Sequence, residues 1–310
     1  MALENFDQLL ALVPKNKEPL KAVLAGPENE NMLQGIFMAA KAGIVHPVLV
    51  GNRDHTLALL DKLGLAGEPY TMISADHSVA NASVDVVRSG EGDILMRGEM
   101  LSHNFLVPVV NGKHGLRRGN EFMSHVTLAS LPEYPRLLGL ADMAVIIDPD
   151  VGLKRTIIRN TVHALKALGY EKPVLAMMAL VEKGTFQMED TVEAQSLVFE
   201  QSRRPIADCE LWGPISYDLI VSKESARLKN YECPYTGGGF DAIIAPELTT
   251  ANTLLKSWTI HAEATVCGAV IGAQVPIALT SRFVAPKEAF LSLAFCAILD
   301  KYYKEIGWKD

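Results

Sequence analysis

Two hydroxyls and a guanidinium follow directly on an apolar run that begins at Pro276: Thr280, Ser281 and Arg282. Glu288 comes seven residues after Ser281. An arginine holds an anion through its planar fork, a serine donates to developing negative charge, and a glutamate accepts a proton. If Ser281, Arg282 and Glu288 converge at one point in a cleft between two domains, these residue types predict a site that holds a phosphate-like anion, stabilises developing negative charge and accepts a proton.

A simpler role is also open for Glu288. If Pro286 is the first residue of the apolar helix that follows, Glu288 is the third. A carboxylate there complements the helix dipole and need not take part in chemistry. Both interpretations stay open on these residues alone.

The elements that must position these residues alternate in type along the chain. Short β-branched runs alternate with longer amphipathic ones, which predicts an α/β fold with a mostly parallel sheet. The predicted strands are 21–26, 46–51, 70–74, 93–98, 122–130, 143–148, 173–180, 240–246 and the run from Pro276. The predicted helices are 30–43, 53–64, 77–89, 151–169, about 249–272 and 286–305. The segment 181–240, with its charges and Gly-Gly-Gly, is predicted to be looser.

The length of 310 residues favours two domains over one. We predict that residues 1–140 and 272–310 form an α/β domain that carries the Ser-Arg strand end. Residues 141–271 then form a second α/β domain.

Composition and charge exclude several classes of protein. The net charge is −7 with both signs intermixed, and no basic stripe with interleaved aromatics appears, so no nucleic-acid partner is expected. The N-terminus lacks the pattern of a signal peptide, and no uninterrupted apolar run is long enough for a membrane span. The four cysteines are scattered without metal-binding spacing, which predicts reduced thiols and a cytoplasmic protein without a membrane partner.

Common nucleotide, hydrolase and metal motifs are missing from the sequence. No GxGxxG follows the first strand, no GxxxxGK[ST] occurs, and Ser281 has no GxSxG around it. The glycines of 236–241 precede their strand instead of following it. Asp148 and Asp150 are a close carboxylate pair, but Pro149 between them favours a turn, so no metal site is predicted.

Other polar residues stand at or near predicted strand ends, where open α/β sheets bind ligands. Arg97 is at the end of strand 93–98. Ser102 stands at the start of the next helix, where it could cap the helix or bind an anion. Ser124 and His125 lie inside an apolar strand, and a hydrogen-bonded core role is more typical of such a histidine.

Collinear stretches of the chain resemble the phosphate acetyl/butyryl transferase family, and its butyryl branch more than its acetyl branch. They span nearly the whole chain: LAGPENE with HPVLVGN, DILMRGEMLSHNFL, GLRRGNEFMSHV, LLGLADMAVIIDPD, IIRNTVHALKALG, KPVLAMMALVEK, GPISYD, APELTTANTLLKS and PIALTSR.

The resemblance implies reversible acyl transfer between acyl-CoA and inorganic phosphate, with CoA as a substrate and no tightly bound cofactor. It implies a fold like that of the isocitrate/isopropylmalate dehydrogenases, with two α/β domains around a cleft, and homo-oligomers built on dimers. Ser281 and Arg282 match the family's Ser-Arg pair, and Glu288 falls where acetyltransferases of the family have an aspartate base. The further candidate phosphate or CoA ligands are Arg97, Ser102, Ser124, His125, Asn252 and Thr280.

Departures from the acetyl branch favour a bulkier acyl group, such as butyryl or another short or branched one. Ile260 and His261 occupy a region where that branch has an arginine, and apolar residues follow Arg282. Three alternatives stay open. They are a phosphate acyltransferase that works with acyl carrier protein, a dehydrogenase of the same broad fold, and a non-catalytic relative that binds CoA or phosphate.

Overall fold

The computed structural model describes residues 2–75, 78–119, 121–280 and 284–308. Its strands are β1 (Leu20–Ala25), β2 (Val45–Gly51), β3 (Thr71–Ser74), β4 (Ile94–Arg97), β5 (Ser124–Ser130), β6 (Leu138–Ala141), β7 (Val174–Met178), β8 (Glu210–Ile215), β9 (Ala242–Ile244), β10 (Thr265–Ile271) and β11 (Ile277–Ala278). Its helices are α1 (Phe6–Ala11), α2 (Glu30–Lys41), α3 (Arg53–Lys62), α4 (Val79–Arg88), α5 (Ser102–Val109), α6 (Val151–Ala167), α7 (Glu189–Arg203), α8 (Tyr217–Val221), α9 (Lys223–Leu228), α10 (Leu248–His261) and α11 (Pro286–Glu305). The predicted α/β class is confirmed.

The chain divides into two compact units. The first unit contains Leu9–Phe122 and the chain from Cys267 onward, and the second contains Met123–Val266 with the chain up to Gln8. The units therefore change at 8–9, 122–123 and 266–267, whereas the sequence places domain boundaries at 140–141 and 271–272. The assignment of domains stays a prediction.

The strands of the first unit lie in the order β3-β2-β1-β4-β11-β10. Neighbours pair in parallel from β3 to β11, and β10 pairs antiparallel with β11. From β1 the chain adds β2 and β3 on one side and then crosses to add β4 on the other. The order therefore reverses between β1 and β4, the place where open α/β sheets most often bind ligands.

Burial on both faces explains the continuous apolar character of these strands. All four residues of β4 are buried, and so are five of the six residues of β1. Strands of parallel sheets covered by helices are apolar throughout, without alternation. Helices α2 and α11 pack together so closely that a Cβ atom at Gly35 would lie 2.5 Å from the Cβ of Ala289. This close approach fixes the first turn of α11.

The strands of the second unit lie in the order β5-β6-β9-β7-β8, parallel except for the antiparallel β5–β6 pair. A core of buried apolar side chains holds this sheet to its helices, and it includes Tyr134, Phe240, Ile243, Leu255 and Trp258. Each unit is thus a mostly parallel sheet with helices packed on it.

Two predicted elements are wrong. The run 143–148 is a loop, because its backbone N–H groups at 144, 145 and 146 bond to the carboxylate of Asp142 instead of a neighbouring strand. The helix predicted to reach Gly272 ends at His261, since Glu263 adopts a left-handed conformation with φ of 49°. The β-branched run that follows is β10. The segment 181–240 was predicted to be looser, and this prediction is also wrong, because the segment contains α7, β8, α8 and α9.

The predicted closing helix is confirmed in position. The closing helix spans Pro286–Glu305, as its apolar pattern and N-terminal proline predicted.

In the described part of the chain, no helix combines the length and the apolar character needed to cross a lipid bilayer. The four cysteines all lie among the described residues, and no disulfide joins them.

Candidate active site

The loops that follow β1 and β4 stay joined beyond the ends of the two strands. The N–H of Gly98 donates to the carbonyl of Ala25 over 2.8 Å, and the N–H of Glu99 donates to that of Gly26 over 2.7 Å. A Cβ atom at position 98 would lie only 1.9 Å from the carbonyl oxygen of Gly26. Only glycine fits there, because the two backbones touch at the carboxyl edge of the sheet.

Arg97, the last residue of β4, is buried and only 3% exposed. Its Nη1 donates to the hydroxyl of Ser102 over 2.8 Å and to the carbonyl of Met100 at 3.4 Å. Its Nη2 donates to the carbonyl oxygen of Thr280. One guanidinium thus joins the end of β4, the start of α5 and the chain after β11. It brings together three of the predicted ligands: Arg97, Ser102 and Thr280.

Ser102 does not cap α5, so that alternative is wrong. The N-cap position belongs to Leu101, which makes no side-chain cap, and Ser102 is the first helical residue. Its exposed side chain accepts the hydrogen bond from Arg97. The predicted contact of Ser102 with an anion stays a prediction.

The predicted catalytic pair Ser281 and Arg282 lies outside the described residues. The chain leading to it is described: β11 runs parallel to β4, with Ala278 opposite Met96. Thr280, the residue just before the pair, also places its Oγ1 3.9 Å from the Sδ of Met32.

Glu288 is the third residue of α11, after Pro286, as predicted. Its Oε2 accepts a hydrogen bond from the backbone N–H of Ala285 over 3.1 Å. The capping role is therefore present in the structure. Its side chain is only half-buried, and its role as a base stays a prediction.

The other predicted ligands lie in the second unit. Ser124 and His125 open β5 and are fully buried. The Oγ of Ser124 accepts from Asn160 Nδ2 over 2.9 Å, and His125 Nδ1 lies 3.2 Å from the hydroxyl of Thr127. These bonds match the core role considered for the histidine, and the contact of both residues with substrate stays a prediction.

Asp142 is a buried carboxylate that the sequence reasoning missed. It follows β6, and it accepts backbone N–H groups from Ala144 at 2.8 Å, Val145 at 3.1 Å and Ile146 at 3.0 Å. Burial raises the pKa of Asp142 to about 6, against the opposing effect of these bonds. A lone acid directly after the buried run LGLA was the signal that could have found it.

Asn252, another predicted ligand, bonds to the same loop. Its Nδ2 lies 3.3 Å from the carbonyl oxygen of Met143. Asp142 and Asn252 together hold the loop 142–146, and a role of Asn252 in binding substrate stays a prediction. Asp150, in the predicted turn, caps α6 by accepting from the N–H of Leu153 over 2.7 Å.

A cavity of about 540 Å³ opens in the first unit at the point where the strand order reverses. It lies among the loops that follow β1 and β4, the start of α4 and one face of α5, from His103 to Pro108, with Asn111 beyond the end of that helix. Glu28 and Glu99 contribute carboxylates, and Asn81, Asn104 and Asn111 contribute amides. This volume is typical of a site for a small molecule. Among the described residues, no group of three or more His, Cys, Asp or Glu side chains is placed to hold a metal ion.

Comparison with known proteins matches most of the chain to a described family. Residues 68–297 match the family described as "Phosphate acetyl/butaryl transferase". The chain is 30% identical over 295 residues to a phosphate acetyltransferase of Rhizobium meliloti, covering 94% of this chain and 92% of that protein. It is 29% identical over 299 residues to a phosphate butyryltransferase of Clostridium acetobutylicum, covering 96% and 98%. The crystal structure of a branched-chain phosphotransacylase from Enterococcus faecalis V583 superposes with a TM-score of 0.78 at 26% identity, covering 91% of this chain and 99% of that one.

Proposed function

Because the chain belongs to the phosphate acetyl/butyryl transferase family, we propose that it transfers an acyl group reversibly between acyl-CoA and inorganic phosphate. The products are an acyl phosphate and free CoA. The family match carries this proposal, since residues 68–297 include Ser281, Arg282 and Glu288. The acyl group we propose is butyryl or another short or branched one.

In the direction of acyl phosphate, a phosphate oxygen attacks the thioester carbonyl carbon and forms a tetrahedral oxyanion. The C–S bond then breaks, and the thiolate of CoA leaves with a proton from the Glu288 carboxyl. In the reverse direction Glu288 takes the thiol proton, and the thiolate displaces phosphate. Both substrates are held together, so no acyl-enzyme forms.

Ser281 and Arg282 act on the charges of this reaction. Ser281 donates to the oxyanion, and Arg282 holds the phosphate through its planar fork. Arg97 supports this arrangement, because it holds the carbonyl of Thr280 next to the pair. A general base contributes typically about 10²–10⁴-fold, and positioning and charge stabilisation supply the rest.

Phosphate-dependent release of free thiol from a panel of acyl-CoAs, acetyl through octanoyl with branched forms, tests the activity. Turnover of one of these acyl-CoAs establishes the reaction, and the acyl group with the highest kcat/KM identifies the preferred substrate. If no acyl-CoA of the panel is turned over but the protein still binds CoA, the non-catalytic relative is favoured. Turnover only with acylated carrier protein would favour the carrier-dependent enzyme.

Within the same panel, Arg282→Ala should abolish turnover and leave the thermal unfolding midpoint unchanged. Near-normal activity of this variant would remove the strand end after β11 from the site. Arg227→Ala is a suitable control, because Arg227 is an exposed arginine of α9 paired with Glu224 in the second unit.

The proposal includes a fold like that of the isocitrate/isopropylmalate dehydrogenases, a homo-oligomer built on dimers and a cytoplasmic location. Light scattering coupled to size exclusion measures the molar mass against the 33.8 kDa of one chain. A mass of one chain at working concentration would contradict the oligomer.

A further inference from the structure

We propose that two copies of this chain associate through the outer face of α7, with the two helices antiparallel about a two-fold axis. This inference rests on the homo-oligomer of the proposed function and names the surface that forms it. The residues that carry it belong to α7, to the turn before that helix and to the chain beside its ends, all within the second unit.

The outer face of α7 is the side of the helix that points away from the sheet. The buried residues of the helix are Thr191, Ala194 and Leu197. On the opposite side, helical spacing groups the half-buried or exposed residues Val192, Gln195, Ser196, Phe199 and Arg203. Phe199 is 63% exposed, and Phe186, in the turn before the helix, is 99% exposed. Exposed apolar side chains of this size, grouped on one element, mark an interaction surface.

The turn that carries Phe186 is held by hydrogen bonds on both sides of the ring. The Oγ1 of Thr191, which is fully buried, accepts from the N–H of Thr185 over 2.9 Å and donates to the carbonyl of Met188 over 2.6 Å. The N–H of Met188 donates to the carbonyl of Thr185 over 2.9 Å. The backbone at Phe186 is therefore fixed before a partner arrives, which lowers the entropic cost of association.

The charges at the two ends of α7 have opposite signs. A cavity of about 280 Å³ lies at the start of the helix, and its carboxylates are Asp148, Asp150, Glu189, Asp190, Glu193 and Glu247. Its one cation among the described residues, Lys154, is paired with Glu193. At the other end of α7, Arg203 and Arg204 are exposed. In an antiparallel pair the acidic end of each helix lies beside the arginines of the other. A second copy of the chain is thus the partner that complements this surface at both ends.

The charges of α7 that face α6 are already neutralised within the chain, whereas those of the outer face are not. The pairs with α6 are Lys154–Glu193 and Arg155–Glu200. Within the described part of the chain, neither Glu189 nor Arg203 forms a salt bridge. Arg203 lies over the ring of Phe199, 5.6 Å from its centroid. The two outer charges therefore remain available to a partner.

The spacing of three residues sets the register of the two helices. Glu189 and Arg203 each lie seven residues from Ser196, so all three are on one stripe of the helix. With Ser196 of both copies at the crossing point, Glu189 lies opposite the partner subunit's Arg203, and the same pair forms at the other end. Phe199 then packs beside the partner subunit's Val192.

Ser196 also suits the centre of such a contact. Its small side chain allows the two helices to approach closely. Its hydroxyl donates to the carbonyl of Glu193 over 2.8 Å, so burial between two helices leaves this donor satisfied. The hydroxyl of Ser202 is satisfied in the same way by the carbonyl of Phe199 over 2.7 Å.

Charge reversal at the two ends of α7 tests the antiparallel arrangement. In Glu189→Arg and in Arg203→Glu alone, like charges meet at both ends of the contact. We expect the dissociation constant between copies, measured by sedimentation equilibrium, to rise at least about tenfold in each. Mixing the two variants restores opposite charges at both ends, so mixed dimers should form with the affinity of the wild type. Glu232→Arg and Lys256→Glu, exposed reversals outside α7, are the controls and should change nothing.

Removal of the rings tests the apolar part of the contact. Phe186→Ser and Phe199→Ser should each raise the dissociation constant at least about hundredfold, because each change removes one buried ring from both copies. Leu228→Ser is the matched control, since Leu228 is 70% exposed on α9. Its dissociation constant should equal that of the wild type.

These measurements do not use turnover, so they separate this inference from the proposed acyl transfer. A wild-type protein that oligomerises while all α7 variants keep its dissociation constant would overturn the α7 contact alone. Charge variants that dissociate but do not associate with each other on mixing would overturn the antiparallel arrangement. A wild-type mass of one chain would overturn the contact together with the oligomer, and the thiol-release assay would still decide the reaction.

Discussion

Arg97 Nη2 donates a hydrogen bond to the backbone carbonyl of Thr280, 183 residues away in sequence. The same guanidinium bonds to Ser102 and to the carbonyl of Met100. Because these bonds are to groups of the protein, we expect Arg97 to act as a positioning residue, and its contact with phosphate or CoA stays a prediction. It fixes the chain directly before Ser281.

We expect Arg97→Lys to lower kcat at least about tenfold while the KM for phosphate changes less than about threefold. A lysine keeps the charge but lacks the fork that reaches three acceptors at once. Initial rates over a phosphate series at saturating acyl-CoA separate the two constants. A large rise in the KM for phosphate with kcat preserved would make Arg97 a phosphate ligand. Arg88→Lys, an exposed change in the same unit, is the matched control.

Glu288→Gln should reduce kcat by about 10²–10⁴-fold, the usual contribution of a general base. The Tm should stay close to that of the wild type, because a glutamine oxygen can still accept from the N–H of Ala285. Glu288→Ala should in addition lose about 1 kcal/mol of stability with the cap. An unchanged rate in Glu288→Gln would leave the carboxylate with its capping role alone. Glu305→Gln, at the other end of α11, serves as the control.

Gly98→Ala should destabilise the first unit by about 1–3 kcal/mol, as other overpacked sites are destabilised. The added methyl would meet the backbone oxygen of Gly26, which cannot rotate away as a side chain can. Urea unfolding measures the change, and turnover should fall with it because the loops move. Gly112→Ala is the control, since nothing lies within 4 Å of a Cβ placed there. Equal stability of the two variants would contradict the close approach.

Asp142 should make stability depend on pH. Burial raises the pKa of this carboxyl to about 6 in the folded protein, from an unfolded value of about 3.9. The folded state therefore binds the proton more tightly, and the stability gained is full below about pH 4 and lost as pH rises through about 6. The free energy of unfolding should fall by about 3 kcal/mol between these limits, which corresponds to the difference between the folded and unfolded pKa values.

Urea unfolding of wild type and Asp142→Asn at several pH values between 4 and 8 measures this contribution. The advantage of the wild type over the variant should shrink as pH rises through this range, because asparagine does not titrate. If the free energies of unfolding of the two proteins differ by the same amount at every pH, the pKa of Asp142 is the same in the folded and unfolded states.

The sequence alone predicted features that depend on neighbours along the chain. Apolar periodicity located β1, β2 and the closing helix, and Pro286 predicted the place of Glu288 in the first turn. The same local reasoning failed at 143–148. The backbone N–H groups of this apolar run donate to the carboxylate of Asp142 instead of to a neighbouring strand.

The ordered stretches of sequence also determined the family, since many residue types must agree in order for such a likeness to arise. What only the tertiary structure decided is how residues far apart in sequence combine. The bond from Arg97 to Thr280, the contact of Gly98 with Gly26 and the cavity beside them all depend on strand order. Propensity and spacing act over a few residues, whereas strand order is set by the packing of the whole unit. No pattern within one segment states which other segment will lie beside it.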